Sequence, residues 1–271
     1  MDSANKGLYI QLFNIHGLLR GNDLELGRDA DTGGQTKYVL EFAKALSESD
    51  KVEKIEIITR LINDRNVSED YSKNFEKVND KLTIVRIRCG GKRYLRKELL
   101  WDHLEEFIDK TIKYLKNQNQ LPDVIHSHYA DAGYVCTQLT KFFGIPFLHT
   151  GHSLGRLKKK SLLQNNYTNA EIEKRYHIST RINAEENTIF FATKIITSTK
   201  EEITKQYGLY ENSAPEKFVT LPPSVSLDKF YPYNFKREWD NDEKDIRIGL
   251  KDELRRFFTN VNKPLILALC R

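Results

Sequence analysis

The chain has 271 residues, which is enough for one large domain or two modest ones with a core of good size. Hydrophobic residues make up 39% and charged residues 30%, an ordinary composition for a globular protein in water. The formal net charge is +5, from 43 basic and 38 acidic residues. Because both signs are interleaved along the chain, nucleic acid is disfavoured as a partner and anionic small molecules are favoured.

Cysteine usage and hydropathy point to a cytoplasmic protein. The three cysteines, Cys89, Cys136 and Cys270, are odd in number and lack CxxC spacing. A disulfide framework and a structural zinc site are therefore disfavoured, and a reducing compartment is favoured. The N-terminus lacks the pattern of a signal peptide. No stretch approaches the roughly 20 apolar residues that a membrane span needs, so no membrane contact is expected.

Predicted strands and helices alternate along the chain. The first βαβ unit has a strand at 8–13, a helix that begins at Gly33, and a strand at 55–59. Residues 63–80 are predicted to form an irregular surface excursion. Further strands are predicted at 82–88, 124–128, 145–148, 194–198 and 218–221, and helices at about 100–115, 132–143, 168–193, 201–206 and 252–258. This alternation predicts an α/β fold with a doubly wound, Rossmann-like parallel sheet.

The apolar run at 264–269 is typical of a central strand, yet no element follows to cover it. We therefore expect a Rossmann-like domain over residues 1–235. Residues 236–271 are expected to hold a linker and the first strand of a second, truncated α/β domain.

Two loops that follow predicted strands hold the candidate functional residues. In an open α/β sheet, ligands bind at the carboxyl ends of the strands. The loop after 145–148 contains His152, flanked by glycine and serine, and then a basic run at 156–160. An imidazole and cations at this edge indicate an anionic substrate. The turn Gly33-Gly34-Gln35 lets the backbone of a helix N-terminus approach a ligand, although a plain tight turn explains it equally well. It is not GxGxxG, so NAD binding is not indicated.

The cations and histidines suggest two kinds of site, one for phosphate and one for a metal ion. A phosphate needs cationic partners from separate elements, and Lys158 and Arg181 meet that need, with Lys97 or Arg93 as a third. His126 and His128 share one face of a strand, and His149 and His152 lie near them in the predicted topology. No carboxylate or cysteine is spaced to complete a metal site, so histidines satisfied within the core are the preferred interpretation.

Nine short motifs lie in order along nearly the whole chain. They are 16–18 (HGL), 25–29 (ELGRD), 31–35 (DTGGQ), 97–101 (KELLW), 128–133 (HYADAG), 150–156 (TGHSLGR), 181–186 (RINAEE), 196–199 (ITST) and 221–223 (LPP). Together they resemble the sucrose-phosphate synthase family. The resemblance implies the N-terminal, acceptor-binding half of a retaining GT-B glycosyltransferase. That enzyme transfers glucose from UDP-glucose to fructose 6-phosphate and releases sucrose 6-phosphate and UDP.

The resemblance also implies residue roles. His152 is the implied catalytic histidine beside the transferred glucose. The implied acceptor-binding residues are Gly33, Gln35, Lys97, Tyr129, Ser153, Lys158 and Arg181, and the implied donor-binding residues are Gly34 and Arg271. No metal and no cofactor is implied. A C-terminal donor domain is expected, and without it the chain is expected to be inactive.

Two departures from the family pattern are present. Thr180 stands where an arginine is common, so phosphate binding is expected to depend more on Lys158. Arg96 stands where a proline is common. Three alternatives remain: a sucrose synthase-like enzyme that takes unphosphorylated fructose, a non-catalytic phosphosugar-binding module, and a fragment that needs a partner because the strand at 264–269 is an aggregation hazard.

Overall fold

The structure is a computed structural model that describes residues 7–225 and 241–263. The chain divides into two compact units, Met1–Pro223 and Ser224–Arg271. The predicted domain boundary at 235, the predicted strand at 264–269 and Arg271 lie outside the described residues, so these three stay predictions.

Within residues 7–225, eight strands form one sheet. They are β1 (Leu8–Phe13), β2 (Val52–Arg60), β3 (Phe75–Lys77), β4 (Leu82–Ile87), β5 (Val124–His128), β6 (Phe147–Thr150), β7 (Lys194–Thr197) and β8 (Phe218–Thr220). Their order is β3-β4-β2-β1-β5-β6-β7-β8. All neighbouring strands are parallel except β3 and β4. The predicted parallel sheet is confirmed.

The helices described for residues 7–225 connect these strands. They are α1 (Gly34–Ser47), α2 (Leu104–Lys116), α3 (Ala130–Phe143), α4 (Gly155–Gln164), α5 (Asn169–Tyr176), α6 (Ile178–Phe191) and α7 (Lys200–Lys205), and α8 (Asn241–Arg255) belongs to the second unit. Short 3-10 turns include Lys97–Leu99, Trp101–His103 and Tyr207–Leu209. No helix in the two described ranges combines the length and the apolar composition that a membrane span needs.

Helices cover both faces of the sheet because alternate strand residues point to opposite sides. Leu12 lies in one apolar cluster with Val39 and Leu40 of α1. Its neighbour Phe13 lies in the other cluster, with Phe107 of α2 and side chains of α3. The central strands are thus buried on both faces, as their continuous apolar character predicts.

The strand order reverses between β1 and β5. From β1 the chain proceeds to β2 and β4 on one side, and later to β5, β6 and β7 on the other. The loops after β1 and β5 therefore diverge and leave a crevice at the carboxyl edge, where open α/β sheets bind ligands. His128, the last residue of β5, is in register with Thr150, the last residue of β6. The candidate loops consequently leave the sheet side by side.

Three sequence predictions about individual elements are wrong. The helix predicted over 168–193 is two helices, α5 and α6, because His177 between them has a left-handed backbone with φ of 46°. Its N–H donates to the Glu173 carbonyl at the end of α5, and its carbonyl accepts from Arg181 in α6. The excursion at 63–80 contains β3, which pairs antiparallel with β4. The basic stretch after His152, predicted to belong to a loop, lies in the helix α4.

Candidate functional site

The glycine turn lies at the reversal point of the sheet. Gly33 precedes α1, and Gly34 is exposed, with no atom within 4 Å of the position that a Cβ would take. The Gln35 side chain turns inward. Its Nε2 donates to Asn14 Oδ1 at 2.7 Å and lies 3.4 Å from the His128 carbonyl oxygen. Gln35 thereby connects the loop after β1 to the end of β5, and Gly34 leaves the helix N-terminus open to the solvent.

His152 follows β6 in a constrained loop. Its backbone is left-handed, with φ of 57°, which is uncommon for a residue with a side chain. The preceding Gly151 donates from its N–H to Tyr207 Oη at 3.2 Å, and a Cβ there would lie 2.6 Å from that oxygen. Close packing of Tyr207 therefore requires glycine at this position. The tyrosine holds the loop against the body of the domain.

The ring of His152 contacts two other rings at the sheet edge. Its Nε2 lies 3.0 Å from Nδ1 of His128, and its ring meets Tyr38 of α1 edge-on at 5.2 Å between centroids. Burial, followed by the neighbouring His126 and His16, lowers the pKa of His152 to about 3. His152 is therefore a neutral imidazole at neutral pH.

A small cleft near the carboxyl edge of the sheet gathers the predicted cations Lys97, Lys158 and Arg181. Its lining residues are Lys97, Glu98, Trp101, Tyr129, Asp131, Lys158, Tyr176 and Arg181. The three cations come from three elements: the 3-10 turn Lys97–Leu99, α4 and α6. Four of the predicted acceptor residues are thus adjacent, and the space between them measures about 10 Å³.

Arg181 is held rigidly in the wall of this cleft. It is 3% exposed. Its Nε donates to Glu185 Oε1 at 2.8 Å, and its Nη2 donates to the Ser153 carbonyl at 2.7 Å and to Ser153 Oγ at 3.0 Å. Burial alone would lower the pKa of Arg181, but the Glu185 carboxylate outweighs it and raises the pKa. The guanidinium also lies 4.5 Å from the centroid of the Tyr129 ring. Ser153 and Tyr129 are thereby tied to one fixed cation.

Glu185 fastens several segments around Arg181. Its carboxylate is 1% exposed and accepts hydrogen bonds from the Gly155 N–H, at 2.9 Å and 3.1 Å, and from the Tyr210 hydroxyl. A Cβ on Gly155 would lie 2.8 Å from Glu185 Oε2. The beginning of α4 is consequently fixed to α6 by one buried carboxylate.

Lys158 differs from the other two cations in having no carboxylate within ion-pair distance among the described residues. Its Nζ lies 3.7 Å from the centroid of the Tyr176 ring. Burial, followed by the nearby charge of Arg181, lowers the pKa of Lys158 to about 8. An anion bound beside Lys158 would offset both the cost of burying its charge and the repulsion from Arg181.

Lys97 is paired with a buried acid. Its Nζ forms an ion pair with Asp31, and its backbone N–H donates to Asp31 Oδ2 at 2.8 Å. Burial alone would raise the pKa of Asp31, but these hydrogen bonds outweigh it and lower the pKa. Asp31 precedes the glycine turn, so this pair holds the Lys97 segment against the start of α1.

The remaining candidates lie elsewhere. Arg93 and Thr180 are exposed and do not line the cleft. Arg96 is also exposed, and its Nη2 lies 3.6 Å from Glu98. Across residues 7–225 and 241–263, no group of three or more His, Cys, Asp or Glu side chains is arranged to hold a metal ion.

Several residues of the site were missed by sequence reasoning. Asp31, Tyr176 and Glu185 were not singled out for any role, although the four-residue spacing of Arg181 and Glu185 on a helix is a signal for an ion pair. A second missed pair is His16 and Asp131, whose side chains meet at 2.7 Å where the loop after β1 passes α3. No sequence signal links these two positions.

The fold and the cleft at its reversal point define the N-terminal Rossmann-like domain of a GT-B glycosyltransferase. The sucrose-phosphate synthase of Thermosynechococcus elongatus superposes with a TM-score of 0.67 at 24% identity, over 90% of this chain and 52% of that one. The catalytic domain of starch synthase IV from Arabidopsis thaliana, bound to ADP and acarbose, superposes with a TM-score of 0.58 at 16% identity, over 93% and 59%.

Sequence comparison identifies the family. The chain belongs to the family of sucrose synthase first GT-B domains, which matches residues 6–232. Sucrose-phosphate synthase of Zea mays is 36% identical over 328 aligned positions, and sucrose-phosphate synthase 4 of Arabidopsis thaliana is 35% identical over 324. Each alignment covers 100% of this chain and 31% of the relative. The resemblance to sucrose-phosphate synthases is confirmed, and the chain spans about a third of the length of these curated relatives.

Proposed function

We propose that this chain is the acceptor-binding domain of a sucrose-phosphate synthase. In this role it holds fructose 6-phosphate while glucose is transferred to it from UDP-glucose, and sucrose 6-phosphate and UDP are released. The observation that carries the proposal is the meeting of Lys97, Lys158 and Arg181 in one cleft. Arg181 donates to Ser153, the residue that follows His152.

The three cations suit the phosphate of the acceptor. Phosphate is bound best by cationic donors that approach from different directions, and Arg offers a planar fork while Lys offers a point charge. Asp31 and Glu185 already balance Lys97 and Arg181. Lys158 is the cation with the most to gain from a phosphate dianion, since its pKa is lowered to about 8.

Binding requires a local movement. A space of about 10 Å³ holds roughly one water molecule, which is too little for a phosphate. Lys158 has a flexible side chain that rests on the Tyr176 ring. We expect Lys158 to leave this ring and meet the phosphate, while Arg181 stays in place because Glu185 and Ser153 hold it.

The other residues are assigned around the sugar. Gly33, Gln35, Lys97, Tyr129 and Ser153 are assigned to the acceptor, and Gly34, which is exposed, to the donor. His152 is assigned to the transferred glucose. Arg271 and a further C-terminal domain are assigned to the donor diphosphate, since the relatives are about three times longer than this chain.

The proposed reaction needs neither a metal nor a cofactor. Basic groups and helix amides stabilise the charge that develops on the diphosphate, and the diphosphate takes the proton of the acceptor hydroxyl. A cytoplasmic location is part of the proposal. It is supported by Cys89 and Cys136, which are free, buried thiols.

Calorimetry with fructose 6-phosphate and fructose tests the function. Losing a charge-assisted contact weakens binding by about 1.5–3 kcal/mol, so we expect fructose to bind at least about tenfold more weakly. Equal affinities would favour the sucrose synthase-like alternative. The 271-residue chain mixed with UDP-glucose and fructose 6-phosphate is expected to form no sucrose 6-phosphate. Turnover by this chain alone would overturn the assignment of the donor site to another domain.

A further inference from the structure

We propose that His128 is a positioning residue that fixes the tautomer of His152, so that His152 presents an Nδ1–H donor to the transferred sugar. The contact between the two rings carries this inference. The contribution of this Nδ1–H to glucose transfer rests on the function proposed above. The tautomer of His152 does not depend on that function.

One of the two rings must donate to the other. Nδ1 of His128 lies 3.0 Å from Nε2 of His152. A neutral imidazole has one N–H and one lone pair, so a hydrogen bond between two neutral rings has only two arrangements. Either His128 donates from Nδ1, or His152 donates from Nε2.

The Nε2 atom, on the other side of the His128 ring, distinguishes the two arrangements. His128 is fully buried, and its Nε2 has no hydrogen-bond partner among the described residues. If His152 donated, His128 would carry its own proton on Nε2 and bury an unpaired N–H. Orphaned buried N–H groups are rarer in proteins than under-satisfied acceptors. The favoured arrangement therefore has the proton of His128 on Nδ1 and that of His152 on Nδ1 as well.

The surroundings prevent His128 from turning away. Its ring packs against that of His126, with centroids 4.3 Å apart and an interplanar angle of 33°, and Phe42 contacts both rings. His126 is itself fixed, because its Nε2 lies 2.8 Å from Thr150 Oγ1. Burial also lowers the pKa of His128 well below its usual value, so the ring stays neutral and keeps a single N–H. A rigid neutral ring is what a positioning residue needs.

In this arrangement His152 carries its proton on Nδ1 and its lone pair on Nε2. Within residues 7–225, no group forms a hydrogen bond with its Nδ1, and the side chain is partly exposed. An N–H at this position donates to a sugar oxygen and cannot accept a proton. His152 then acts in transfer as a hydrogen-bond donor, and the acceptor hydroxyl must lose its proton to another group.

NMR of the imidazole nitrogens in the ¹⁵N-labelled chain tests this directly. The signals of His152 are assigned by their loss in His152→Gln. We expect a protonated Nδ1 and an unprotonated Nε2, unchanged between about pH 6 and about pH 8. A proton on Nε2 of His152 would overturn the proposal.

Two substitutions of His128 separate positioning from packing. His128→Asn places an amide donor near the former Nδ1, and we expect His152 to keep its tautomer. His128→Phe keeps a ring against Phe42 but has no donor, and we expect His152 to become a mixture of tautomers. A single unchanged tautomer in His128→Phe would refute the role of His128. If a variant does not fold, the wild-type spectrum still decides.

The spectra separate this proposal from the proposed function because no ligand is needed. A chain with the expected tautomer that binds no fructose 6-phosphate contradicts only the function. A chain that binds this ligand but carries the proton of His152 on Nε2 contradicts only the role of His128.

Discussion

The lowered pKa of Lys158 predicts that the proposed phosphate binding depends on pH. Burial and the neighbouring Arg181 lower this pKa to about 8. The side chain is then about 90% protonated at pH 7 and about 10% at pH 9. The phosphate of the ligand is a dianion throughout this range, since its second pKa is about 6. Because only the ammonium form donates a charge-assisted hydrogen bond, affinity for fructose 6-phosphate should fall up to about tenfold from pH 7 to pH 9.

Calorimetry measures both the affinity and the protons exchanged. The bound phosphate raises the pKa of Lys158 again, so binding at about pH 8 should take up about half a proton per site. Repeating the titration in buffers of different ionisation enthalpy reveals this uptake. Wild-type affinity that stays constant between pH 7 and pH 9 would refute the reasoning.

Three variants isolate the charge. Lys158→Arg keeps a permanent cation, and its affinity should no longer vary with pH over this range. Lys158→Ala should lose about 1.5–3 kcal/mol of binding free energy at pH 7. Its affinity should also not vary with pH over this range. Lys159→Ala is the control, because Lys159 lies on the same helix but lines a separate groove with Leu163 and Ile182. Wild-type affinity in Lys158→Ala would remove Lys158 from the site.

Three further substitutions test the framework of the site by urea denaturation. Glu185→Gln leaves the buried Arg181 without its carboxylate and should lower the free energy of unfolding by about 3 kcal/mol; a loss below about 1 kcal/mol would contradict this. Gly151→Ala places a Cβ 2.6 Å from Tyr207 Oη and should lower that free energy by about 1–3 kcal/mol, so wild-type stability would be the contrary result. His177→Gly removes the penalty of a left-handed backbone with φ of 46° and should stabilise by up to about 1 kcal/mol, and a marked destabilisation would speak against it.

The parallel strands were predictable because each contains at least two adjacent apolar residues, and turn residues or polar segments separate them. β1 and β5 have the predicted bounds, 8–13 and 124–128. β3 was missed because it has three residues and only one of them, Phe75, is apolar. Its identity depends on pairing with β4, which no local pattern reports.

The helical errors have a different cause. His177 breaks the helix predicted over 168–193, although no glycine or proline marks the place. α4 was missed because its sequence has no continuous apolar stripe, and Gly155 is its only fully buried residue. Charged helices that depend on tertiary contacts escape periodicity arguments.

The position of the site was more predictable than the ion pairs between its side chains. The rule that ligands gather at the carboxyl ends of strands brought Tyr129, Lys158 and Arg181 to one edge, and the structure places them around one cleft. The pairing of Lys97 with Asp31 joins residues 66 positions apart. Such partners are set by how the loops meet in three dimensions, so the sequence alone could not assign them.

The Glu185 carboxylate also has a consequence for motions of the native state. It joins the beginning of α4, the cation in α6 and Tyr210, which follows the 3-10 turn Tyr207–Leu209. Segments that share buried contacts open together, as cooperative units in hydrogen exchange. Detachment of the Tyr210 segment should therefore expose the amide of Gly155 and loosen Arg181 in the same event. A phosphate ligand that never touches Tyr210 should slow amide exchange in that segment.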